Sequence, residues 1–185
     1  MKTTTLVWIA LLTLATTLGG AVPANAQEQF TFSVSALGGL GGSLDADPGD
    51  DLSNTALQLN LALITEPKTF LGLRLGTIDL SGNEQFGSLF DAQLDYVNIA
   101  GEYRFNHTFY QSGLFIGVGG YRLDGRRVLG GASESETSFG LVLGLNGEFE
   151  LTRRLGFVLE LAGHYTDLDD AQIFATGHAG IVVHF

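Results

Sequence analysis

The sequence contains no cysteine, three prolines, one tryptophan and few charged residues, 16% of the total. Without cysteine there is no disulfide framework, no thiolate nucleophile and no cysteine-ligated metal. Burial and backbone pairing alone must hold the fold. Soluble domains carry about 25% charged residues, so something other than water must cover much of this surface. Beyond residue 26 no apolar run approaches the ~20 residues that a spanning helix needs.

What is present begins with a leader. Lys2 precedes an apolar run from Leu6 to Leu18, then Gly19, Gly20, Pro23 and the tripeptide Ala24-Asn25-Ala26. A basic start, a short apolar stretch and an A-x-A site have the order of a secretory signal peptide. Residues 1–26 are therefore expected to be removed before Gln27. No cysteine follows that point, which argues against a lipoprotein. Residues 27–185 have the size of one domain.

Read with a period of two, this domain falls into eight alternating segments. The first sets Phe30, Phe32, Val34, Ala36 and Leu40 against Thr31, Ser33 and Ser35. The second sets Leu57, Leu59, Leu61 and Leu63 against Gln58, Asn60 and Ala62. Leu71, Leu73 and Leu75 then oppose Gly72, Arg74 and Gly76; Val97, Ile99, Tyr103 and Phe105 oppose Asn98, Ala100, Glu102 and Arg104. The fifth carries Leu114, Ile116 and Val118 opposite Phe115, Gly117 and Gly119. In the sixth, Phe139, Leu141, Leu143, Leu145 and Phe149 alternate with Gly140, Val142, Gly144, Asn146 and Glu148. The seventh sets Phe157, Leu159 and Leu161 against Val158, Glu160, Ala162 and His164. The last is "TGHAGIVVHF", with Ala179, Ile181, Val183 and Phe185 on one side.

Eight such strands suit either a soluble barrel with its apolar face inward or a membrane barrel with that face outward. The second face decides between them. A water-facing surface would be rich in Lys, Glu and Thr, whereas this face is mostly Gly, Ala, Ser and Asn. Small residues fit the inside of a narrow barrel. The aliphatic face then points into lipid, and the expected fold is all-β, an eight-stranded antiparallel up-and-down transmembrane barrel.

Connections alternate in length. Short turns centre on residues 65–69, 106–108 and 152–154; longer loops centre on 42–53, 79–92, 124–136 and 166–171. Short turns on one rim and long loops on the other fit periplasmic and extracellular sides, with both termini periplasmic. Aromatics gather near the short-turn ends (Phe30, Phe70, Tyr103, Phe105, Phe109, Tyr110, Phe149, Phe157 and Phe185), where an interfacial belt is expected. Tyr121, Phe139, Tyr165 and Phe174 would form a thinner belt at the other end.

Taken whole, residues 27–185 resemble the small eight-stranded outer-membrane barrels, including the membrane domain of outer membrane protein A, outer membrane protein X and the opacity proteins. The terminal Phe185, with Ile181 and Val183 at alternate positions before it, resembles the C-terminal assembly signal of that family. The resemblance implies insertion by the barrel-assembly machinery into the outer membrane of a Gram-negative-type bacterium.

Charge is sorted along the chain. Asp45, Asp47, Asp50, Asp51, Asp79, Glu84, Asp91, Asp95, Asp124, Glu134, Glu136, Asp167, Asp169 and Asp170 fall in the four long loops. Arg126 and Arg127 are the only bases assigned there, so the net charge sits at one end. Such a field repels nucleic acid and gathers divalent cations. Asp45, Asp47, Asp50 and Asp51 in "DADPGDD" form the densest candidate cation loop, without EF-hand spacing. Arg126 and Arg127 are candidates for contact with lipopolysaccharide phosphates, against an ordinary reading as loop charges. By parity, Arg74, Glu102, Arg104, Glu148 and Glu160 face the lumen, where charges are costly unless paired. A salt-bridge network filling the lower lumen is expected, acting either as a plug or as the gate of a small pore.

No catalytic constellation emerges. The stretch "GHYTDLDDA" at 163–171 resembles the His-x-Ser-Asn segment of the lipid A 3-O-deacylases but departs at Thr166 and Asp167. No Glu follows Glu160 to complete that family's triad. Palmitoyl transferases use an early His, and none precedes His107. "LGGLGG" at 37–42 lacks the Lys and helix of a phosphate loop. The histidines have no metal-ligand spacing, and neither a cofactor nor enzyme activity is expected. The expected role is a monomeric scaffold with a closed lumen, in envelope integrity or surface interaction. A small gated pore and a lipid A-modifying enzyme are the alternatives.

Overall fold

The structure, a computed structural model, describes residues 32–46, 52–66, 68–82, 86, 89–127 and 133–185. The expected signal peptide lies outside the described residues, as do Phe30, Asp47, Asp50 and Asp51. The strands are β1 (Phe32–Ser43), β2 (Asn54–Glu66), β3 (Thr69–Asp79), β4 (Leu89–Asn106), β5 (Gln111–Arg127), β6 (Ser133–Glu150), β7 (Leu155–Thr166) and β8 (Ile173–His184). Each pairs antiparallel with the next, and β8 pairs with β1, closing an eight-stranded up-and-down barrel. The last residue takes part: Phe185 donates its N–H to the Phe32 carbonyl at 2.9 Å.

The alternating pattern maps onto two environments. Leu57, Leu63, Ile99, Ile116, Val118, Leu141, Leu143 and Leu161 are exposed on the outer wall. Their inner-facing neighbours Gln58, Asn98, Ala100, Phe115 and Val142 are buried. On β6 the outer apolar row runs from Phe139 to Phe149. At ~3.4 Å per residue and a tilt near 40°, that row stands about 26 Å tall along the barrel axis. A band of that height matches hydrocarbon thickness, and lipid is the medium in which it is stable.

Above the band the hydrophobic phase reverses. On β5, Val118 points out, but Tyr121 and Leu123 point in while Arg122 and Arg126 are exposed. On β4, Val97 and Ile99 face out, whereas Ala92 and Leu94 are buried. The strands therefore become inside-in where water replaces lipid outside. The reversal corrects two expectations from alternation. Residues 89–92, 124–127 and 133–136 lie within strands β4, β5 and β6 rather than in loops. Tyr121 and Phe174, at 1% and 0% exposure, fill the lumen instead of forming an upper belt. Phe70, at 7%, is likewise internal.

A bulge between Phe90 and Gln93 in β4 contains Asp91 at φ 50, a left-handed conformation that aspartate tolerates. It leaves Leu89 and Ala92, three residues apart, both buried. At the short-turn rim Tyr103, Phe105, Phe109, Tyr110 and Phe149 are exposed, and Tyr110 stacks between His107 and Phe149.

Large inner side chains stand opposite glycines. Gly76 is the cross-strand partner of Tyr96, and a Cβ there would lie 2.2 Å from the Tyr96 ring. Gly144 partners Phe115, and its Cβ would lie 2.3 Å from that ring. Gly76, Gly140 and Gly144 are thus spaces into which the Tyr96, Tyr121 and Phe115 rings fit.

Candidate functional site in the barrel lumen

The lumen near the short turns holds a continuous polar chain drawn from β2, β3, β4, β6, β7 and β8. The Tyr96 hydroxyl donates to Gln58 Oε1 at 2.6 Å, and Gln58 Nε2 donates to Glu160 Oε1 at 2.6 Å. Arg74 bridges Glu160, through Nη1, and Glu102, through Nη2 at 3.3 Å. Arg104 continues the chain, with Nε 2.5 Å from Glu102 Oε1 and Nη1 2.7 Å from Glu148 Oε2. His184 Nε2 ends it, 2.6 Å from Glu148 Oε1. The structure thus brings together all five lumen residues singled out from sequence parity.

Strand geometry explains the arrangement. Glu102 and Arg104 are two apart on β4, so both point inward and meet along one strand. Arg74 and Glu160 are 86 residues apart and meet across the lumen. Two guanidiniums face three carboxylates in a space from which water is largely excluded. Desolvation of such charges is offset by mutual pairing and by ring faces. Arg74 Cζ lies 3.5 Å from the Phe115 ring centroid, and Arg104 Cζ lies 4.0 Å from that of Phe70.

A cavity of about 20 Å³ remains among Ser35, Asn60, Arg74, Glu102, Glu148 and Glu160. That is room for about one water molecule. At the short-turn end an open vestibule of about 670 Å³ lies between the β4–β5 and β6–β7 turns and reaches Arg104, Gln111, Glu148 and His184.

Farther up the lumen the chemistry changes in steps. His164 Nδ1 lies 3.0 Å from the Tyr121 hydroxyl, and its Nε2 lies 3.4 Å from Thr176 Oγ1. Above this layer is an apolar core of Ile78, Leu80, Phe86, Leu94, Leu123, Leu168 and Phe174, all essentially unexposed. Ala46, Phe86, Leu168 and Ala171 enter it from the connections, not from the strands.

The remaining sequence candidates separate. Asp45 turns its carboxylate to the Gln172 and Ile173 backbone N–H groups, at 3.0–3.2 Å, and to the Ser43 hydroxyl at 3.1 Å. It joins the β1–β2 and β7–β8 connections. Arg126 pairs with Asp91 at 3.7 Å, both exposed. Ile181, Val183 and Phe185 lie on the outer side of the β8 seam, where the Phe185 ring stacks on Phe32. Gln58, Tyr96, Phe70 and His184 belong to the lumen chain without having been singled out. Parity did place Gln58 inward, a polar signal at mid-strand.

These features define the fold of the small eight-stranded outer-membrane β-barrels. The chain is similar in structure to neisserial surface protein A, with a TM-score of 0.69 at 16% identity over 83% of this chain and 97% of that one. It is also similar to the N-terminal barrel domain of Pseudomonas aeruginosa OprF (TM-score 0.55, 11% identity, 85% and 100% covered). The attachment invasion locus protein Ail of Yersinia pestis gives a TM-score of 0.53 at 18% identity, with 84% and 97% covered. No protein-family model and no curated protein sequence matches the chain.

Proposed function

We propose that this protein is an integral outer-membrane barrel of a Gram-negative-type bacterium, acting as a closed, non-catalytic scaffold in envelope integrity or surface contact. The carrying observation is the filled lumen, charged and paired from Arg104 to Glu160 and apolar from Ile78 to Phe174. The apolar outer band and the shared fold support the membrane assignment. On this reading both termini are periplasmic, and lipid and lipopolysaccharide surround the monomeric barrel. The barrel-assembly machinery engages Ile181, Val183 and Phe185 during insertion. The acidic loop end attracts divalent cations and disfavours nucleic acid. His164 sits inside the barrel against Tyr121 and Thr176, which supports a non-catalytic role.

The test is expression with the leader, purification from the outer membrane in detergent, and single-channel recording in a planar bilayer. A barrel with heat-modifiable gel mobility and no conductance supports the reading. Discrete steps from the unaltered protein overturn it. They would favour the second reading, a small pore, for which the vestibule leading to Arg104 and Glu148 is the supporting observation.

A further inference from the structure

The ion-paired chain is only one of two materials in the lumen. We propose that the lumen is closed by two barriers in series, the ion network and an outer apolar cap, with Asp45 latching the cap. This inference rests on the closed-lumen reading above.

The cap is built like the core of a water-soluble protein. Its strand residues Leu94, Leu123 and Phe174 continue the inward parity of their strands, and that face becomes apolar above the lipid band. Phe86 and Leu168 descend onto them from two different connections, and the Phe86 and Phe174 rings lie 6.3 Å apart. The side chains that meet here are aliphatic and aromatic, and Tyr96 and Tyr121 form the layer nearest the ion network. A packed apolar constriction excludes water and therefore ions. The constriction shares none of the network's charged residues, and the two meet at Tyr96, whose hydroxyl donates to Gln58.

The cap is also fastened from outside. Asp45 accepts from two successive backbone amides, Gln172 and Ile173, and Leu44 N–H donates to the Ile173 carbonyl at 2.8 Å. On the other flank, Glu136 accepts from the Asp169 N–H at 3.1 Å, and Ser138 Oγ accepts from the Asp167 N–H at 3.1 Å. The carboxylates of Asp45 and Glu136 thus hold the β7–β8 connection over the mouth. An ion path requires both the network and the cap to give way.

The experiment compares conductance of the membrane-purified protein with three variants, each verified as folded by heat-modifiable mobility. Glu102→Lys breaks the network, Phe86→Ser with Leu168→Ser wets the cap, and the third variant combines them. The series closure predicts silence from the wild type and from the first two, with discrete steps only from the combination. Conductance from either partial variant overturns it while leaving a closed wild-type lumen intact. Conductance from the wild type removes the closed-lumen reading as well. A folded, silent combination also overturns the proposal, because closure then lies elsewhere. If the serine pair does not fold, Asp45→Ala takes its place as the cap variant, with the same expectations.

Discussion

Phe32 and Phe185 stack with ring centroids 4.8 Å apart and planes within 5° of parallel. The pair lies on the seam where the first and last strands meet, so it joins residues that become neighbours only when the barrel closes. Such a pair contributes ~0.5–1.5 kcal/mol beyond its buried area. Phe32→Ala and Phe185→Ala should each lower the unfolding midpoint in urea-titrated lipid vesicles. The double variant should lose less than the sum of the two, and strict additivity would show that the stack carries no coupling.

Arg74 holds Glu102 and Glu160 at once. Removing one partner of a buried ion pair costs ~3–5 kcal/mol, because the other charge is stranded. Arg74→Met should therefore destabilise by that order in the same unfolding assay. Adding Glu160→Gln should recover part of the loss, since it removes the stranded carboxylate. No recovery would mean that the cost is lost packing on Phe115.

Gly144 has no room for a side chain, because a Cβ would lie 2.3 Å from Phe115 Cζ and 2.5 Å from the Leu161 carbonyl oxygen. Gly144→Ala should destabilise by ~1–3 kcal/mol through overpacking. Gly101, with nothing within reach of an added Cβ, is the control, and Gly101→Ala should be near neutral in the unfolding assay.

The phase reversal locates the upper edge of the lipid band between Val97 and Gln93 on β4. An arginine at the bilayer midplane of a barrel costs ~2–4 kcal/mol, falling to ~0–1 near the interface. Leu143→Arg, inside the band, should show the larger cost in vesicle unfolding. Gln93→Arg, beside Asp95 and across from Asp124, should show little. Equal costs would place the boundary elsewhere.

The lipid-facing pattern was legible because each outer residue meets the same medium. Leu57 or Ile116 needs no named neighbour to be assigned outward; alternation is enough. The inward placement of Arg74, Glu102, Arg104, Glu148 and Glu160 followed from the same parity. Tyr121 and Phe174 were misplaced because an aromatic near a strand end fits either an interfacial belt or an internal cap. Parity relative to Val118 and Ala179 separates these readings, once the outer medium is known to change.

By itself the sequence determined the strand count, the outward face and which charges share the inside, since these depend on a period of two along one chain. Only the tertiary structure decided that Glu160 meets Arg74 across the lumen and that Asp45 reaches Ile173. Height and cross-barrel proximity depend on the stagger between strands, to which parity is blind. The cap depended on it most, because Phe86 and Leu168 are apolar residues in irregular connections. Their burial is a property of the closed mouth they cover, not of any local period.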